Sequence, residues 1–80
     1  MMKTKSDQKR KYDYSQLKAR TVQLGKTDRM VAEAANITPS TYSIKLNGGS
    51  QFTQDEMCSI CNFLGIRYGE IPSYFFAVLV

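Results

Sequence analysis

Ser40, Ser43, Ile44 and Asn47 place two hydroxyls, one carboxamide and one branched alkyl group within eight residues. At about 100° per residue on a helix these four share one side, and Tyr42 and Leu46 point the other way. Hydroxyls and a carboxamide exchange hydrogen bonds, and the isoleucine offers methyl contact. The set contains no activated nucleophile and no general base. A helix side that merely faced water would more often carry Lys and Glu. Elsewhere the chain has no His. The carboxylates Asp28, Glu33, Asp55, Glu56 and Glu70 are explained by helix starts and exposed helix faces, so no enzyme is expected.

Cys58 and Cys61 form a single CxxC, and a tetrahedral zinc site would need two further ligands. They fall within the helical pattern Met57, Ile60, Cys61, Leu64. Cys61 therefore reads as a small core residue and Cys58 as its less buried neighbour, with a redox pair as the alternative. No metal, cofactor or small-molecule ligand is expected. Gly48-Gly49-Ser50 lacks the Gly-Lys-Ser/Thr ending of a phosphate-binding loop and reads as a turn.

The elements that must hold the four side chains are two short helices joined by a tight turn, from Thr27 to Gly48. Thr27 can cap the first, and Ala32 at its centre is small enough for another helix to cross closely. The first helix ends by Ala35, because Asn36 tolerates the left-handed conformation that closes a helix and Ile37 can plug the corner. Thr38 precedes a proline and is pushed out of the helical region. Pro39 is pre-set for the first helical position, so the second helix runs from Pro39 to Leu46. Its outward side suits the major groove of DNA, where short hydroxyls, an amide and an aliphatic branch can meet base edges and thymine methyls. Ser40, Ser43, Ile44 and Asn47 are the expected base readers. Thr27, Thr38, Thr41 and Lys45 lie at the edges, where phosphates would be met.

This stretch resembles the Cro and repressor family of phage helix-turn-helix proteins, also called Xre-like. Ala32 stands where that family has its small first-helix residue, Asn36 where it usually has the turn glycine, Tyr42 at a buried recognition-helix position, and Asn47-Gly48 at a frequent exit. FTQDEMCSICNFLGI resembles the family's fourth helix. With KYDYSQL near the start and EIPSYFF near the end, the chain also resembles short phage and prophage proteins, mostly of Gram-positive hosts, described only as a domain of unknown function. The resemblance spans about residues 12–76 and implies a lambda-repressor-like fold and a DNA-binding transcriptional regulator. Asp28 stands where the family commonly has a phosphate-holding Gln, and a carboxylate there would repel a phosphate. Ile44 replaces a common Arg, which favours apolar contact over guanine reading.

Eighty residues make one small domain. A first helix is expected from about Ser15 to Leu24, capped by Asp13 or Ser15, with Leu17, Thr21 and Leu24 on one face and Gly25 ending it. A fourth follows the capping box Thr53-Gln54-Asp55-Glu56 and runs to Leu64, with Gly65 as its stop. The predicted fold is all-α: four to five short helices with a possible short C-terminal strand. Tyr68 to Ile71 can form a turn of helix and Pro72 is expected to interrupt it. Tyr74 to Val80 has strand composition, leaving helix or strand open.

Nine of the eleven basic residues lie at or before Arg29. The first eleven residues form a flexible basic arm, in which Lys9, Arg10 and Lys11 are candidates for phosphate contact; a solubilising tail is the bland alternative. No secretory signal or membrane-spanning stretch is visible, so the bacterial host cytoplasm is the expected location. Tyr74, Phe75, Phe76, Val78, Leu79 and Val80 supply more apolar surface than so short a chain readily hides, and a homodimer interface is expected there. The alternative from another class is a protein-interaction module, such as an antirepressor or antitoxin partner, that keeps the fold without reading DNA.

Overall fold

The computed structural model describes residues 12–78, so Lys9, Arg10, Lys11, Leu79 and Val80 lie outside the described residues. Five α-helices follow one another: α1 (Ser15–Gln23), α2 (Asp28–Ala34), α3 (Pro39–Leu46), α4 (Gln54–Leu64) and α5 (Ile71–Phe75), with a 3-10 turn (Tyr68–Glu70) between the last two. The fold is all-α. Strand pairing among the described residues amounts to one antiparallel bridge between Tyr12 and Val78, reinforced by the Asp13 N–H donating to the Ala77 carbonyl at 2.6 Å.

Helix starts follow the threonines. Thr27, Thr38 and Thr53 each adopt extended backbone, and their hydroxyls accept the N–H of Met30, Thr41 and Glu56 at 3.2, 3.1 and 3.1 Å. Glu56 reaches back to the Thr53 N–H at 2.9 Å and completes a capping box, so exposed amides at the helix start are satisfied reciprocally. At α1 the cap position is Tyr14, which makes no side-chain cap bond. Asp13 instead accepts the Ser15 N–H at 2.9 Å, one residue outside the expected register.

Helix ends follow one geometry four times. Gly25, Asn36, Gly48 and Gly65 have φ of 71°, 63°, 86° and 68°, the left-handed turn that lets the next N–H reach back five residues. Those bonds are Lys26 to Thr21, Ile37 to Ala32, Gly49 to Ile44 and Ile66 to Cys61, each 2.9 or 3.0 Å.

The core gathers Leu17, Val31, Ala32, Tyr42, Leu46, Ile60, Cys61, Leu64 and Phe75. Phe52 lies between these helices, with ring centroids 5.4 Å from Tyr14 and Phe75 and 5.9 Å from Tyr42, all edge-on, the arrangement aromatic quadrupoles favour. Arg20 joins α1 to the end of α4, donating to the carbonyls of Leu64 at 3.0 Å and Gly65 at 3.1 Å. Pro72 does not interrupt the last segment. It falls in the first turn of α5, where a missing N–H costs nothing. No helix among the described residues is long and apolar enough to cross a membrane.

Candidate functional site

Helix α3 follows α2 through a four-residue connection: Ala35, Asn36, Ile37 and Thr38 lead from Ala34 to Pro39. The caps at each end set its position, and Tyr42 and Leu46 anchor its inner side in the core. The Tyr42 hydroxyl is buried and has no hydrogen-bond partner among the described residues. Burial, and secondarily the carboxylate of Asp28, push its pKa well up, so it stays neutral. Ser40, Ser43, Ile44 and Asn47 are all exposed on the opposite side, as the helical spacing requires. Ile44 keeps 52% of its surface open.

These exposed groups differ in how free they are. Asn47 Nδ2 donates to the Ser43 carbonyl at 2.9 Å, which ties the carboxamide back along the helix. Thr38 Oγ1 accepts the Thr41 N–H and donates to Thr41 Oγ1 at 2.9 Å. The two hydroxyls form one small polar cluster at the start of α3. Thr27 is exposed and occupied as the cap of α2.

Lys45 departs from expectation. Its residue is 7% exposed, its ammonium lies 3.1 Å from Glu56 Oε1, donates to the Gln51 carbonyl at 2.8 Å and sits 5.9 Å from the Phe52 ring centroid. A lysine committed on three sides inside the fold is not a free cation at a helix edge, and the reading of Lys45 as a phosphate contact is corrected accordingly. Burial alone would raise the Glu56 carboxyl; hydrogen bonds from Thr53 and the Lys45 ammonium outweigh it and hold Glu56 below its ordinary value. From sequence, a lysine three places after Tyr42 gives no hint of Glu56, because their approach depends on how α4 packs. Glu56 is thus both a helix cap and a buried-pair partner.

The exposed cations on the folded body are Lys18, Arg29 and Arg67, with Lys26 half-buried over the Phe63 ring at 5.1 Å. Arg29 pairs loosely with Glu33 at 3.8 Å. From Lys18 onward six basic residues face five acidic ones, and Asp13 brings residues 12–80 to zero. The formal charge of +4 is therefore that of residues 1–11, where Lys3, Lys5, Lys9, Arg10 and Lys11 outnumber Asp7. Tyr12, the first described residue after them, lines a cavity of about 70 Å³ with Gln51 and Phe52 of the segment following α3.

At the C-terminal end the expected interface divides. Phe75 is 1% exposed and belongs to this chain's own core, and Tyr74 packs partly against it; assigning Phe75 to a subunit interface is corrected, because Tyr14 and Phe52 already enclose its ring. Phe76 and Val78 remain 44% and 60% exposed. Phe76 borders an uncharged groove of about 380 Å³ with Gln54, Met57, Cys58 and Ile71. Cys61 is buried and Cys58 half-buried, both as free thiols. Among the described residues no group of three or more His, Cys, Asp or Glu is placed to hold a metal ion.

The architecture defines a small all-α domain whose third helix is buried on one side and polar, uncharged and open on the other. The chain belongs to the family described as protein of unknown function (DUF739), whose model matches residues 10–78. No curated protein matches it.

Proposed function

We propose that this chain is a sequence-specific double-stranded DNA-binding transcriptional regulator of phage or prophage type, acting in a bacterial cytoplasm. The observation that carries this reading is the outward side of α3. It presents Ser40, Ser43, Ile44 and Asn47 to the exterior, while caps at both ends and a buried Tyr42 and Leu46 fix its orientation. Its resemblance to the Cro and repressor proteins lends the same support. In this reading α3 enters the major groove, its polar atoms and Ile44 meet base edges, and Thr27, Thr38 and Thr41 approach phosphates. The protein-interaction alternative calls for a larger apolar surface on this side, where Ile44 is the one large apolar residue.

Phosphate attraction falls to the arm. Fully extended, eleven residues span at most about 40 Å, enough to lie along the backbone on one flank of the contacted groove. Pairing of two copies would set two α3 helices against half-sites about 34 Å apart, and the exposed Val78 and Phe76, the latter bordering the uncharged groove, are the surface for that pairing. Light scattering at micromolar concentration should then find a dimer for the full chain and a folded monomer for Phe76→Glu. A monomeric full chain would remove the dimer from the proposal.

Ser40→Ala and Ile44→Ala should each change sequence preference, and a good direct contact is worth about 1 to 3 kcal/mol of discrimination. Both substitutions lie on exposed positions, so melting temperatures should hardly move. If neither alters preference or affinity in a binding assay, this side of α3 does not read DNA.

A further inference from the structure

The four helix ends share one backbone geometry but not one covering side chain. In this geometry the residue that donates the long return bond lies against the residue whose carbonyl accepts it, and an apolar contact commonly forms there. At two of the ends an isoleucine holds that place: Ile37 packs against the core and Ile66 is buried within it. Lys26 closes α1 and lies over Phe63. At the end of α3 the same place is held by Gly49, whose N–H donates to the Ile44 carbonyl at 2.9 Å. The residue left uncovered is Ile44.

Gly49 is not there for its backbone. The left-handed residue of this turn is Gly48, and the conformation of Gly49 is one that side chains adopt. What excludes a side chain is space: a Cβ on Gly49 would lie 2.8 Å from Ile44 Cγ2 and 3.4 Å from the Ile44 carbonyl oxygen. Isoleucine in a helix has essentially one χ1 rotamer, so Ile44 cannot turn aside cheaply. An uncovered isoleucine forgoes the apolar burial that Ile66 has at the end of α4.

We propose that Gly49 is a positioning residue for Ile44: lacking a side chain, it leaves the isoleucine uncovered and fixed in the rotamer that meets the C5-methyl of a thymine in the major groove. This rests on the reading of α3 as a DNA reader and names what Ile44 reads and what keeps it open.

The test uses the full chain and the duplex it enriches from random DNA, with each thymine replaced singly by deoxyuridine, which removes only the methyl. Wild type should lose about fourfold in affinity at one thymine of each half-site, the value of one buried methyl. Ile44→Ala should abolish that loss. Gly49→Ala should reduce it to less than about twofold, should lower the melting temperature because Ile44 must yield to the new β-carbon, and should add nothing to the loss of uracil sensitivity in the Ile44→Ala background. If Gly49→Ala does not fold, Gly49→Ala/Ile44→Leu, which has no γ2 branch, must fold and show no uracil sensitivity. In the absence of DNA, the three-bond couplings of the Ile44 γ2-methyl should differ between wild type and Gly49→Ala. Unchanged couplings, or a full uracil penalty in Gly49→Ala, overturn the positioning role. A penalty that survives Ile44→Ala overturns the thymine contact. Absence of any enriched duplex overturns the DNA reading and this proposal with it, while the couplings still report whether position 49 sets the rotamer.

Discussion

Lys45 shows how far one side chain can depart from its sequence context. Its spacing puts it at the edge of α3, yet the ammonium is enclosed by Glu56, Gln51 and the Phe52 ring. A buried pair contributes little net stability, but removing one partner leaves the other unpaired, at a cost of about 3 to 5 kcal/mol for fully buried pairs and less here, where both side chains keep some exposure. Because the folded Glu56 pKa is depressed, its contribution is complete above the ordinary carboxylate value of 4.5 and disappears as pH falls through the lower folded value. Thermal melts should therefore show stability falling on acidification below about pH 4.5, with Glu56→Gln less stable at neutral pH and less sensitive to acid. An identical acid profile in wild type and Glu56→Gln would contradict this assignment. Sequence could not show the pair because it depends on two helices meeting.

The helices themselves are largely readable from sequence, because their boundaries are local. Thr27, Thr38 with Pro39, and Thr53 with Glu56 mark starts through hydrogen bonds spanning three residues. Gly25, Asn36, Gly48 and Gly65 mark ends through positive φ. Asn36 is the one non-glycine among them. Asn36→Gly should be neutral or stabilising, and Asn36→Ala should lose about 1 kcal/mol, since a β-carbon is disfavoured in the left-handed region. Urea titration measures both, and an Asn36→Ala protein as stable as wild type would show that this turn is not strained. Pro72 misleads through its general helix-breaking habit, although the first turn of α5 needs no N–H from it. Phe75 misleads because an apolar run reads the same whether its partner is Phe52 of its own chain or another subunit. The outward side of α3 is legible from spacing alone; the vacancy at Gly49 that leaves Ile44 open is not, since it consists of a side chain that is missing.

Across the whole molecule, formal charge is concentrated at one end of the sequence. The body of the protein carries no net charge and residues 1–11 carry the full +4, so on the proposed function the arm supplies sequence-independent attraction and α3 supplies selectivity. Removing residues 1–11 should flatten the slope of log affinity against log salt by about 0.9 for each phosphate that the arm neutralises, while Lys45→Met should leave that slope unchanged. A slope unaffected by arm deletion would make the arm a solubilising tail. The central claim is tested most directly by selection of the full-length protein against a random double-stranded DNA pool at moderate salt. The account predicts enrichment of one palindromic sequence with half-sites about one helical turn apart. A folded protein that leaves the pool's composition unchanged after repeated rounds would contradict it.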